Sequence, residues 1–357
     1  MKVDFYISSL SGGGAEKVLV TLAEDFARRR NEVSIFSLEK RPQFYQVSEN
    51  VSLEKINQTG LQKKSGDFAS IRKRIKERDA DVIVSFLSRC NLLVLLAALF
   101  QKQNVIVCDR NNPLKEHSQI VFWLSCLVYT LAKGIVVQTN QIKSYYPAFL
   151  QKKIVVLENP LDCQSLIEQC VGQKICPDNS IISMGRLEPQ KDYDTLLRAF
   201  ALLQEEFKDW KLNIFGIGDQ HDRLQRLIDE LGLTNRAFLR GRTSTPFLEM
   251  KKSKIFVLSS NYEGFPNVLC EGMYAGLPCI SSDCISGPRE LINDGENGFL
   301  FDVGNVEQLQ EKLKQLMESE ALRQELGNKG KETVGRLELS KICDKWYQFV
   351  SAKNKRQ

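Results

Sequence analysis

Histidine is nearly absent from this chain: His117 and His221 are the only two in 357 residues. So few leave almost nothing for a histidine-based metal centre or a Ser-His triad. The ten cysteines form no Cys-x-x-Cys pair, and several (Cys90, Cys108, Cys126, Cys279) sit in apolar or helical-looking runs. That is the usage of buried, reduced thiols in a cytosolic protein, not of a secreted disulfide scaffold or a zinc site. Long hydrophobic runs are missing too. The stretches 91–101 and 118–132 carry no charge, but a spanning helix needs about 20 apolar residues, so neither is expected to cross a bilayer. Asp4 interrupts the first apolar run and three glycines follow, which fits a first strand and not a signal peptide. Hydrophobic residues at 43% and charged residues at 26% remove wholesale disorder, collagen and membrane bundles from consideration.

What is present is chain enough for about two domains, at roughly 100–200 residues each. Short β-rich runs (3–8, 33–38, 82–86, 105–108, 135–138) alternate with amphipathic helical runs, the first with Val18, Leu19, Leu22, Ala23 and Phe26 on one face. The pattern pauses at 154–161, a polar segment follows at 172–179, and strands resume at 181–184, 211–215, 237–239, 255–258 and 279–281. The runs are continuous and β-branched, as parallel strands covered on both faces require. We therefore expect an α/β protein of two Rossmann-like βαβ domains, 1–165 and 166–340, facing across a cleft. A last helix, 341–357, is expected to pack back on the first domain. Ligands of such sheets bind at the carboxyl ends of strands.

Charge is unevenly shared: 23 Lys+Arg stand against 17 Asp+Glu through Cys170, and 26 against 27 after it. Seven of the basic residues are Lys63, Lys64, Arg72, Lys73, Arg74, Lys76 and Arg78. They read either as a solvated helix face or as a patch for anionic headgroups or a phosphorylated acceptor.

Three segments could carry chemistry. Ser11-Gly-Gly-Gly-Ala-Glu-Lys17 leaves the first strand and opens the first helix. It is either a tight turn or an anion seat built from free N–H groups, and its spacing matches neither the dinucleotide fingerprint nor a P-loop. Gly185-Arg186-Leu-Glu-Pro-Gln-Lys191 leaves another strand, and its two cations suit a departing diphosphate. Asn261-Tyr-Glu-Gly-Phe-Pro-Asn-Val-Leu-Cys-Glu-Gly-Met-Tyr-Ala-Gly-Leu-Pro278 is the strongest. Pro266 can hold a helix's first turn, leaving the amides of Asn267, Val268 and Leu269 for a phosphate. Glu263 and Glu271 can serve a sugar and a ribose, and Gly264, Gly272 and Gly276 suggest close approach of a ligand. Asp79-Ala80-Asp81 and Asp192-Tyr193-Asp194 match a metal–nucleotide Asp-x-Asp pattern, but one precedes a strand and the other opens a helix, where Asp serves as a cap.

Taken together, Gly-Gly-Gly-Ala-Glu-Lys, Gly-Arg-Leu-(x)3-Lys, Phe215-Gly-Ile-Gly-Asp219, Glu263-(x)7-Glu271 and the stretch 287–300 resemble glycosyltransferase family 4, along nearly the whole chain. These are retaining, nucleotide-sugar-dependent enzymes of the GT-B fold. The resemblance implies that Gly13 and Gly14 lie over the donor diphosphate and that Arg186 and Lys191 neutralise it as it leaves. Glu271 would hold the ribose, Glu263 the donor sugar and the Asn267 and Val268 amides phosphate oxygens, beside Gly264 and Phe265. The Arg240-Gly241-Arg242 turn would border the base. Many members carry a histidine where this chain has Arg110. Arg110, Asn111 and Glu16 are thus candidates for contact with the acceptor or donor sugar, while His117 reads as a helix-start residue.

The expected function is transfer of a hexose or N-acetylhexosamine from a nucleotide sugar, a UDP-sugar in the first instance, to a lipid-linked oligosaccharide in O-antigen, capsule or similar polysaccharide synthesis. No metal or other cofactor is expected. The partners would be the nucleotide sugar, the lipid-linked acceptor and, by peripheral contact, the anionic inner face of the cell membrane. A nucleotide-sugar epimerase of the same fold and a non-catalytic binding subunit are the alternatives. Net +5 without an aromatic–basic surface speaks against nucleic acid.

Overall fold

The computed structural model describes residues 1–39, 42–56, 64–110, 113 and 118–354, with the side chains of 64–67 left out. Lys63, Asn111, Asn112 and His117 therefore lie outside the described residues, as does the side chain of Lys64. The chain divides into two compact units, Met1–Pro160 with Ser340–Gln357, and Leu161–Leu339.

The first unit holds a seven-stranded sheet in the order β3-β2-β1-β4-β5-β6-β7. Its strands are β1 (Lys2–Ile7), β2 (Glu32–Ser37), β3 (Ser52–Lys55), β4 (Val82–Phe86), β5 (Asn104–Cys108), β6 (Gly134–Val137) and β7 (Ile154–Val156). All pairings are parallel. The helices include α1 (Gly14–Arg28), α2 (Lys64–Arg78), α3 (Ser88–Ala97) and α4 (Gln119–Tyr129). Helix α1 buries Val18, Leu19, Leu22, Ala23 and Phe26, the face its periodicity sets. The carboxyl-terminal helix Leu339–Lys353 rejoins this unit from Ser340 onward. Trp346 is fully buried with its ring stacked 6.2 Å from Phe86, Tyr347 meets Phe26 edge-on at 5.3 Å, and Arg29 pairs with Asp344 at 2.6 Å.

The second unit holds a six-stranded sheet, again wholly parallel, ordered β10-β9-β8-β11-β12-β13. Its strands are β8 (Ser180–Met184), β9 (Lys211–Phe215), β10 (Ala237–Gly241), β11 (Ile255–Leu258), β12 (Cys279–Ser282) and β13 (Phe299–Phe301). Each sheet reverses its winding direction once, between β1 and β4 and between β8 and β11. A chain that winds outward both ways from such a point leaves a crevice at the strands' carboxyl ends. The loops 185–191 and 259–266 leave β8 and β11, and Ser11–Gly13 leaves β1, so two of the candidate segments share the second switch point and the third sits at the first.

Three strands differ from the sequence expectation. β3, β7 and β13 are all edges of three or four residues, and 154–161 had read as a pause. Edge strands are short and buried on fewer sides, so they need no long apolar run.

Candidate active site

The second unit's switch point is built from two loops fastened to each other. The Gly185 and Leu187 amides donate to the carbonyls of Phe215 and Ile217, both at 3.0 Å. Gly216 has φ +150°, and a Cβ there would stand 1.8 Å from the Gly185 carbonyl oxygen. Gly218 is held as closely by Leu187, at 2.2 Å. Glycine is required at both positions because backbone meets backbone there.

Within this frame Lys191 donates to Glu263 Oε1 at 2.6 Å, and the side chains are only 13% and 9% exposed. The Ser260 hydroxyl donates to the same carboxylate oxygen at 2.6 Å. The Tyr193 hydroxyl is buried, and burial, then the Glu263 charge, pushes its pKa up. Arg186 is different: 67% exposed and paired with Glu188, two residues on, at 2.8 Å. One cation of the expected pair is thus buried against a carboxylate, and the other is solvent-exposed on a local carboxylate. Sequence reading missed Ser260 and Tyr193: Ser260 lies just before the Asn261–Pro278 motif, and Tyr193 stands in an Asp-x-Asp pattern read for its aspartates, 70 residues from Glu263.

The helix Asn267–Tyr274 starts one residue later than expected, with Pro266 as its cap and not in its first turn. The Asn267 amide donates to the Phe265 carbonyl and that of Leu269 to Pro266, both at 3.0 Å. Of the three amides expected to await a phosphate, only that of Val268 makes no backbone hydrogen bond among the described residues. The proline's φ and ψ of −82° and 82° fold the chain tightly enough to satisfy the other two. Two of the glycines also have structural reasons of their own. Gly272 packs on the Phe256 ring, where a Cβ would come within 2.9 Å, and Gly276 takes φ +80° at the helix end. Gly264 and Phe265 are buried beside Glu263, and Glu271 lies half-buried one turn into the helix.

At the end of β10, Gly241 takes φ +71° and its carbonyl accepts from the Gly216 amide at 2.8 Å. Arg240 lies over Phe238 and donates to Asn213 at 2.8 Å. Arg240 and Asn213, with Arg242, Phe215 and Lys252, border a cavity of about 530 Å3.

In the first unit the glycine loop departs from expectation. Glu16 turns back so that its carboxylate accepts from the Gly12 and Gly13 amides at 2.5 and 3.0 Å and from the Ser9 hydroxyl at 2.8 Å. This is a capping box, which satisfies the donors an incoming anion would have used. Glu16 is accordingly buried and holds the loop, while Gly13 caps α1 and Gly14 opens it.

Arg110, at the carboxyl end of β5, is also buried. Its guanidinium lies 4.5 Å from the Phe86 ring centre and 5.4 Å from that of Trp346, and donates to Asn159 at 2.5 Å. Its Nε and Nη2 make no hydrogen bond among the described residues, and burial pushes its pKa down to about 10. The aromatic pair explains why an arginine survives there: its planar face is held by cation–π contact in place of a carboxylate. The neighbouring Asp109 faces the other way, accepting from Asn91, Tyr129 and Tyr146.

Both Asp-x-Asp patterns are engaged in protein contacts. Asp192 accepts from Thr195 and Asp194 takes a bidentate pair from Arg223. Asp79 accepts from Gln103, and Asp81 from the Lys2 amide.

Comparison with known proteins gives the class. Residues 12–165 match the model described as Glycosyltransferase Family 4, and residues 173–333 that of Glycosyl transferases group 1. Along 98% of both chains the protein is 30% identical to a Campylobacter jejuni enzyme named GalNAc-alpha-(1->4)-GalNAc-alpha-(1->3)-diNAcBac-PP-undecaprenol alpha-1,4-N-acetyl-D-galactosaminyltransferase. It is 26% identical to the amylovoran biosynthesis glycosyltransferase AmsD of Erwinia amylovora, over 96% of this chain and 97% of that one. Among solved structures, Anabaena HepE in complex with UDP and glucose superposes with a TM-score of 0.82 at 17% identity, covering 99% of this chain and all of the other. A TarM variant from S. aureus, solved with UDP, gives 0.83 at 13%, covering 98% and 100%. These structures share the GT-B fold, and the two parallel sheets here have that architecture. The chain belongs to the family 4 glycosyltransferases and is a glycosyltransferase.

Proposed function

We propose that this enzyme moves a hexose or N-acetylhexosamine from a UDP-sugar, with retention, to a hydroxyl of a lipid-linked oligosaccharide during surface-polysaccharide assembly. The reading rests chiefly on one observation: a buried Lys191–Glu263 pair, its lysine in the same loop as the exposed Arg186 cation, all at the second unit's switch point. A leaving diphosphate develops negative charge, and fixed cations stabilise it more in the transition state than in the ground state. Arg186 swings from Glu188 to the diphosphate, and Lys191 is shared between the phosphate and Glu263. Glu263, steadied by Ser260, accepts from a donor-sugar hydroxyl. Glu271 takes the ribose, and the Val268 amide a phosphate oxygen. The bond from the anomeric carbon to phosphate oxygen breaks, the acceptor oxygen bonds that carbon on the same face, and its proton passes to the departing phosphate. No metal enters this scheme. The second unit thus binds the donor and the first the acceptor, where Arg110 Nη2, unpartnered among the described residues, is a hydrogen-bond donor for it.

The relatives' names support the acceptor class, since the Campylobacter enzyme is named for an undecaprenol-linked substrate. Among the described residues no helix is long and apolar enough to cross a membrane, so we place the enzyme at the inner membrane face by peripheral contact. The test is a donor panel (UDP-, GDP-, ADP- and dTDP-sugars) with an undecaprenyl-diphosphate oligosaccharide, with and without chelator. Transfer from one UDP-sugar, resistant to chelator and giving an α-linkage by NMR, is expected. In addition, Arg186→Ala should lower turnover by about 10²–10³. No transfer from any donor, or an Arg186→Ala variant at full rate, would refute the scheme.

A further inference from the structure

Helix α4 presents two different faces. Phe122, Ser125, Cys126 and Tyr129 are buried against the sheet, while Ile120, Trp123, Leu124 and Leu127 are 53–74% exposed. The outward four fall at i, i+3, i+4 and i+7, a single stripe, and exposed Leu131 follows just past the helix end. No charged residue occurs between 118 and 132. A contiguous apolar face of this kind in water marks an interaction surface.

The charges that border the stripe are positive. Lys153 donates to the carbonyls of Thr130 and Ala132 at 2.5 and 2.9 Å and so closes the carboxyl end of α4. Lys133 and Lys353 stand close enough that, after burial, their charges lower the pKa of Lys153. Helix α3 packs beside α4, and the two feed the neighbouring strands β5 and β6. Just past the carboxyl end of α3 comes Phe100, 91% exposed with φ +64°, and then exposed Lys102. The first unit as a whole carries 28 Lys+Arg against 16 Asp+Glu, net +12. The second carries 21 against 28, net −7, which together give the +5 of the chain.

The arginines of α2 are committed elsewhere. Arg72 donates to the carbonyls of Ala97 and Leu99, Arg74 pairs with Glu54 and Glu77, and Arg78 with Asp4 and Glu32. The cations that gather at the carboxyl end of α4 are Lys133, Lys153 and Lys353 instead.

We infer that α4 is the membrane-docking element: it lies in the plane of an anionic bilayer with Ile120, Trp123, Leu124 and Leu127 among the upper acyl chains. Lys133, Lys153 and Lys353 then meet lipid phosphates. The inference rests on the lipid-linked acceptor proposed above and names the surface that brings the enzyme to it. An interfacial helix of this type combines an apolar face with flanking cations, and a tryptophan suits the headgroup boundary. A second copy of this chain is the poorer occupant, because pairing α4 with its own symmetry mate sets one +12 unit against another.

The tryptophans make the test direct. Trp210 and Trp346 are 3% and 0% exposed, so fluorescence changes on binding report Trp123. Vesicles of phosphatidylglycerol and phosphatidylethanolamine should blue-shift the emission, brominated lipid should quench it, and phosphatidylcholine vesicles should do neither. Leu124→Glu with Leu127→Glu should weaken sedimentation with anionic vesicles at least tenfold, and Lys133→Glu with Lys353→Glu should remove most of its salt dependence. All variants should keep wild-type turnover on a water-soluble, short-chain acceptor, which separates docking from catalysis. Wild-type protein that ignores anionic vesicles, glutamate variants that sediment as well as wild type, or a dimer dissolved by Leu124→Glu would each overturn the inference. Loss of transfer from every donor would instead overturn the proposed function.

Discussion

Replacing Lys191 by methionine keeps the length of the side chain and removes its charge. In the native protein the lysine and Glu263 are 13% and 9% exposed and 2.6 Å apart. Taking away one member of a buried pair costs about 3–5 kcal/mol, since the surviving charge stays out of water. The unit that holds the pair runs from Leu161 to Leu339. For a unit of that size each kcal/mol moves Tm by roughly 2–4 °C, so the fall should be roughly 6–20 °C. Lys191→Met with Glu263→Gln should recover most of it, because the second change neutralises the stranded carboxylate while Ser260 keeps a partner. Turnover separates the roles. Lys191→Met should lower kcat by about 10²–10³ if the ammonium stabilises the leaving diphosphate, and the double variant should stay as slow. Scanning calorimetry and initial rates on the three variants complete the cycle. A single variant within 2 °C of wild type would show that the pair is not buried in solution. A double variant with restored turnover would show that Lys191 acts only by neutralising Glu263.

Three other outcomes are expected. Gly216→Ala should disrupt the fastening of the 185–187 and 215–218 loops, because the Cβ would stand 1.8 Å from a carbonyl oxygen; nucleotide binding by calorimetry should be lost, and an unchanged Kd would contradict the geometry. Glu271→Ala should weaken binding of the free nucleoside diphosphate by about tenfold or more, the worth of a charge-assisted hydrogen bond, with little change in Tm. Burial pushes the thiols of Cys90, Cys108 and Cys343 up to about 12 from 9.0. The native state therefore holds these protons more tightly than the unfolded chain does, and stability should fall as pH rises from about 9 to 12. A chemical-denaturation series flat across that range would refute it.

Much of the architecture is legible in the order of residues. Continuous β-branched runs mark strands covered on both faces, and the period of α1 sets its buried face, because both depend on neighbours a few residues away. The motif spacings place Arg186, Lys191, Glu263 and Glu271 after strands, and the switch-point rule then gathers them. What sequence could not assign was the partner of each charge. Glu16 looked like a free acid beside free amides, yet it turns back and occupies them. Lys191 and Glu263, 72 residues apart, are joined only because β8 and β11 are adjacent.

The same limit governs the two features farthest from the motifs. Arg110 is stacked by Trp346, which arrives from the carboxyl-terminal helix. The cations beside α4 come from positions 133, 153 and 353, while the arginines of the conspicuous run in α2 are spent on its neighbours. Local pattern determines which segments become strands and helices, since that is decided by periodicity and propensity along the chain. Which charge meets which, and which apolar face is left without cover, is decided by packing between segments remote in sequence, where no spacing rule operates.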